Sequence, residues 1–132
     1  MLVREPIFLN RRLVNYNPAA EAERVYRLPV DVYTTEDAIV LTASVPGMQA
    51  DVLDITLDGE TLVIRGELNG AAEHGSYVLR ERFHGKFERR LTVNVPVNIG
   101  AAQANVENGV LTLVLPKAEE ARPHRIAVKS AE

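Results

Sequence analysis

The sequence predicts an all-β sandwich, and three observations predict it. Short apolar or alternating runs recur between residues 30 and 115 at the spacing of a sandwich, each bounded by turn residues. Pro29, Pro46, Pro96 and Pro116 fall outside those runs, where a missing N–H breaks no ladder. Asp58-Gly59 is a two-residue hairpin signal, Asn108-Gly109 marks a second turn, and Pro46-Gly47 suits a type II turn.

Three zones follow along the chain, with boundaries at residues 1–28, 29–117 and 118–132. In the first, Ile7, Phe8, Leu9, Leu13, Val14 and Tyr16 are mixed with arginines and show neither helix nor strand period. Asn17-Pro18 reads as a helix start, with Asn17 as the cap and Pro18 at the first helical position. A short helix over residues 18–26 is expected, closed before Pro29.

In the second zone the expected strands cover residues 30–33, 38–44, 54–57, 61–67, 77–82, 86–94 and 110–115. Phase assigns their faces. Ile39, Leu41, Ala43 and Val45 share one side, as do Leu62 and Ile64. Arg89 is in phase with Phe87, Leu91 and Val93, so its charge needs a partner. Leu111, Leu113 and Leu115 point one way and Val110 and Val114 the other, so this strand asks for cover on both faces. In the third zone the only sizeable apolar residues are Ile126 and Val128, spaced to share one side of an extended segment.

Composition bounds the function. The chain of 132 residues is 46% hydrophobic and 25% charged, enough for one modest domain with short extensions. It has no Cys, which excludes disulfides, thiolate metal sites and a Cys nucleophile. Net charge is −3, divided as +2 over residues 1–28, −6 over 29–116 and +1 over 117–132. A central zone at −6 is a poor polyanion binder, so no nucleic-acid partner is expected. No apolar run approaches the ~20 residues of a transmembrane helix, and Arg4, Glu5, Arg11 and Arg12 interrupt any signal-peptide core. A cytoplasmic location is the expectation.

Six stretches, in order, resemble the small heat-shock protein (α-crystallin domain) family. They are Pro29-Val30-Asp31-Val32-Tyr33, Val45-Pro46-Gly47-Met48, Leu62-Val63-Ile64-Arg65-Gly66-Glu67, Arg80 through Arg89 (ERFHGKFER at its centre), Asn108 through Lys117 (NGVLTLVLPK), and Ile126-Ala127-Val128. The resemblance covers residues 29–128. It implies an immunoglobulin-like β-sandwich, the α-crystallin domain, of the bacterial and plant type. It implies self-association as dimers within larger oligomers, binding of unfolding client proteins without ATP, and hand-over to ATP-driven refolding chaperones. It implies neither enzymatic activity nor a cofactor.

The resemblance also assigns roles. The strand formed by Tyr77, Val78, Leu79, Arg80, Glu81 and Arg82 would join the partner's sheet, and the long stretch between Gly66 and Gly85 suits that use. Arg89 would sit near the dimer interface, where a guanidinium suits a bidentate carboxylate. Ile126 and Val128 would plug a groove on a neighbouring dimer, with Ile55, Leu57, Leu111 and Leu113 as its contacts; the alternative is that they pack on their own domain. Ile7, Phe8, Leu9, Leu13, Val14 and Tyr16 would meet clients, cement the oligomer, or both.

No catalytic pattern competes. His74, His84 and His124 lie outside metal-ligand spacings, and no phosphate-binding glycine loop is present. The rival of another class is a monomeric sandwich module that binds one folded partner; the Ile126-Ala127-Val128 tail and the long loop argue for the assembling protein instead.

Overall fold

The computed structural model describes residues 24–68, 70 and 74–131. Among the described residues, eight strands form two four-stranded sheets. They are β1 (Val25–Arg27), β2 (Val30–Thr34), β3 (Ala38–Ser44), β4 (Leu53–Asp58), β5 (Thr61–Leu68), β6 (Gly85–Thr92), β7 (Gln103–Glu107) and β8 (Val110–Pro116). One sheet has the order β1-β6-β5-β4 and the other β2-β3-β8-β7. All pairings are antiparallel except β1 with β6, which is parallel. The all-β sandwich expected from the sequence is the fold observed.

Local sequence accounts for most elements. β3 carries Leu41 and Ala43 inward, and its partner β8 carries Leu111, Leu113 and Leu115, all 5% exposed or less. Across the sandwich, Leu62, Ile64 and Phe87 close the core from β5 and β6. Two-residue turns set the hairpins. Asp58 pairs with Thr61, so Gly59 and Glu60 form the β4–β5 turn, one residue later than the Asp58-Gly59 signal suggests. Asn108 and Gly109 take φ of 53° and 74° between the paired Glu107 and Val110, as a type I′ turn requires. Pro116 ends β8 instead of following it.

Three elements depart from expectation. Val25 and Tyr26, read as the end of a helix, belong to β1, and Arg24 before them is irregular; the rest of that expected helix, residues 18–23, and its Asn17 cap lie outside the described residues. Tertiary pairing overrides the local signal here, because Leu28, 2% exposed, is drawn into the core and pulls the preceding residues alongside β6. β7 was not expected. Its QANVE sequence has only Ala104 and Val106 in phase with the core residues Leu113 and Leu111, a weak alternation typical of a polar edge strand.

The third departure is the 77–82 segment, which is not a strand within its own chain. A strand exists only with a ladder partner, and the neighbouring β6 is already paired on both edges, by β5 and β1.

Only Leu28 and Pro29 separate β1 from β2, so these two edges of the two sheets lie against each other. The opposite edges, β4 and β7, therefore also lie together across the sandwich.

Candidate functional site

The tail leaves the domain at a 3-10 turn, Glu119–Ala121. Arg122 Nε donates to the Lys117 carbonyl at 2.9 Å and fixes the exit point. Beyond it, residues 123–131 form no helix or strand. Ile126 is 85% and Val128 94% exposed, so neither packs on its own domain. Two apolar side chains are thus held in water a few residues from a rigid anchor.

The candidate groove residues separate into two groups. Ile55 and Leu57 are half-buried on β4, at a sheet edge. Leu111 and Leu113 are 1% and 3% exposed, inside the core, on a strand flanked by β3 and β7. Both face the sandwich interior and offer almost no surface to solvent in the single chain. The strand that faces the β4 edge from the other sheet is β7, with Val106 half-buried and Ala102 just before it. The sequence signal for it was modest: a lone valine before the Asn108-Gly109 turn. A depression of about 420 Å³ lies beside the end of β4, lined by Leu57, Val93, Val97 and Ile99 among others.

The loop after β5 stands clear of both sheets' ladders. Tyr77 donates its hydroxyl to the Gly70 carbonyl at 3.1 Å, and the Arg80 guanidinium lies 4.5 Å over the Tyr77 ring. Val78 and Leu79 are 44% and 43% exposed. Glu81 and Arg82 lie on the same irregular stretch, which bends at Val78 and Arg82 and runs into β6 at Gly85. Phe83 packs edge-on against Tyr26 of β1, centroids 4.8 Å apart, and lies 6.0 Å from Phe87. His84 Nδ1 sits 3.0 Å from the Arg82 carbonyl. Tyr26 and Phe83 were not singled out from the sequence. Isolated aromatics carry no period, and only the fold brings them together.

Among the described residues β2 pairs with β3 alone, and it exposes Val32 (52%) and Tyr33 (55%).

Arg89 has the inward phase read from the sequence, opposite Ile64. Its partner in the chain is a backbone carbonyl, not a carboxylate: Nη1 donates to Leu28 O at 3.1 Å. That bond fixes the chain two residues before β2 begins.

On the outer face of the first sheet, cross-strand register places Asp54, Arg65, Glu88 and Arg27 side by side across β4, β5, β6 and β1. Charges alternate in sign along this row, so each has an opposite neighbour. The Glu88 carboxyl lies below the usual carboxylate range. The Arg90 hydrogen bond is the largest cause, and the charges of Arg90 and Arg65 add to it against some desolvation.

Among the described residues no cluster of His, Asp or Glu is placed to hold a metal ion. None of their helices is long and apolar enough to cross a membrane. The client residues Ile7, Phe8, Leu9, Leu13, Val14 and Tyr16 lie outside the described residues.

Two four-stranded sheets packed as a sandwich, with an extended tail carrying two exposed apolar residues and a long loop outside the ladders, define the class as an all-β sandwich protein. The Hsp20/alpha crystallin family model matches residues 23–129, and the chain belongs to that family, the small heat-shock chaperones. It is 30% identical to Small heat shock protein C2 of Rickettsia felis over 86% of this chain and 74% of that one. It is 34% identical to the 17.4 kDa class I heat shock protein of Arabidopsis thaliana over 95% and 80%. Among solved structures it resembles heat shock protein 16.0 of Schizosaccharomyces pombe, with TM-score 0.63, 28% identity and coverage of 78% and 98%. It also resembles a small heat-shock protein of Xylella fastidiosa with a distinct high order structure, at TM-score 0.63, 27% identity and coverage of 78% and 96%.

Proposed function

We propose that this protein is an ATP-independent holdase that binds unfolding proteins and prevents their aggregation, working as dimers joined into larger oligomers. The observation that carries the reading is the tail. Ile126 and Val128, at 85% and 94% exposed on an anchored extended segment, have no use within their own domain.

The tail of one dimer docks on the β4–β7 edge of another, with Ile55, Leu57 and Val106 as contacts. Fully burying two such side chains contributes roughly 3–6 kcal/mol gross. Ordering the tail offsets much of that, so a single contact is weak and reversible. Repetition through one assembly raises effective concentration and makes it hold. The 77–82 segment of one subunit adds to the β2 edge of its partner, as an extended segment adds to any open sheet. Arg89 serves that interface by fixing the chain at Leu28, where β2 begins. The 1–16 arm meets the apolar surface of clients, which needs no fixed geometry. Clients then pass to ATP-driven refolding chaperones, and the protein works in the cytoplasm.

The test is light scattering from a heated, aggregating client with and without this protein, ATP omitted. Suppression near equimolar subunits supports the holdase; unchanged scattering refutes it. A monomeric mass by multi-angle light scattering would favour the single-partner interaction module.

A further inference from the structure

The tail is opposite in charge to the domain it leaves. Residues 122–131 carry three basic side chains, Arg122, Arg125 and Lys129, and no acidic one, while residues 29–116 carry a net −6. Arg125 and Lys129 flank Ile126 and Val128, and in an extended chain their spacing sets the two cations roughly 13 Å apart. The depression of about 420 Å³ beside the end of β4 has the matching composition. Its floor is apolar: Leu57, Val93 and Val97 are half-buried and Ile99 is 57% exposed. Glu60 and Glu120, both exposed, also line it. None of Glu60, Glu120, Arg125 and Lys129 forms an ion pair with another described residue. Backbone bonds preform the walls. Val93 N–H donates to Glu60 O at 2.6 Å, Asn98 N–H to Pro116 O at 2.7 Å and Ala118 N–H to Pro96 O at 2.8 Å.

We infer, on the tail docking proposed above, that this depression reads the tail of a second copy: Glu60 and Glu120 pair with Arg125 and Lys129 while the floor takes the apolar side chains between them. Leu57 belongs to both β4 and the depression, so the site continues the β4–β7 edge. The chain's own tail leaves past this depression at Ala118 and Glu120, yet holds Ile126 and Val128 in water, so the seat stays open to another chain's tail. Exposed ion pairs each contribute little, and salt screens them, with a Debye length of about 10 Å at 0.1 M. Their larger effect is on choice of partner: a tail with carboxylates at 125 and 129 would meet like charges. Repeated through an assembly, the pairs make docking selective and sensitive to ionic strength.

Charge reversal and mixing test this. R125E/K129E reverses the tail and E60K/E120K the depression; all four side chains are exposed, so both variants should melt like the parent. At low ionic strength each alone should need about tenfold more protein than the parent to reach the same mass by multi-angle light scattering. An equimolar mixture of the two should regain the parent mass, because each tail then finds a depression of opposite sign on another copy. Parent mass in either variant alone, or a mixture that stays small, overturns the charge reading between copies. A mixture that stays small while the variant with all four reversals is restored would place the tail on its own domain. Failure of the underlying tail docking shows separately, as an unchanged mass for I126A/V128A.

Discussion

The far end of the Phe87 ring of β6 lies over Gly66 of β5, its direct cross-strand partner: a Cβ built on Gly66 would stand 2.8 Å from Phe87 Cε1. Phe87 is 2% exposed and Gly66 half-buried, so the aromatic side chain replaces the one that glycine lacks. The pair sits one row below Ile64 and Arg89, in the centre of the first sheet's inner face.

Gly66→Ala should therefore overpack the core and cost about 1–3 kcal/mol. A lowered urea midpoint at fixed protein concentration checks it. Gly70→Ala is the control, because nothing stands within 4 Å of its Cβ position, and it should stay within about 0.5 kcal/mol of the parent.

Arg89→Ala leaves the Leu28 carbonyl without its side-chain donor and Arg89's inward position empty. A loss of about 1–3 kcal/mol is expected, with Arg89→Lys recovering part of it. Denaturant melts of both variants check this; equal melts for parent and Arg89→Ala would show that the bond stabilises nothing.

Glu88 supplies the pH prediction. Its folded-state carboxyl is lowered, chiefly by the Arg90 hydrogen bond, so its contribution is present above the ordinary carboxylate range. It fades as pH falls through the lowered folded value. The group is solvent-accessible, so the effect is small and salt-sensitive. Glu88→Gln should flatten the acid limb of the stability profile slightly and leave neutral stability nearly unchanged.

Much of the sandwich was legible because its strands obey the two-residue period. β3 was read with its observed bounds, and the inward phase of Arg89 was correct. What failed depends on distant partners. Val25 and Tyr26 have a helix signal upstream and become a strand only because β6 offers an edge. The polar β7 has too little alternation to show itself, and period alone did not tell that Leu111 and Leu113 lie buried in the core. Arg89's need for a partner was readable; that a carbonyl 61 residues away supplies it was not. The tail was the clearest feature, since two apolar residues in a polar stretch stand out without any fold.

Ile126→Ala with Val128→Ala should leave the sandwich's own stability unchanged, because both side chains are already exposed. The mass in solution should fall from large oligomers toward dimers by multi-angle light scattering. Retention of the parent mass would move the plug elsewhere on the chain.

The most direct measurement is client aggregation followed by light scattering at the client's unfolding temperature, without ATP, for the parent and for a form lacking residues 1–16. The parent should suppress scattering near equimolar subunits, and the truncated form should require several-fold more protein. Scattering that the parent leaves unchanged would contradict the holdase itself, and equal suppression by both forms would contradict the arm's part in it.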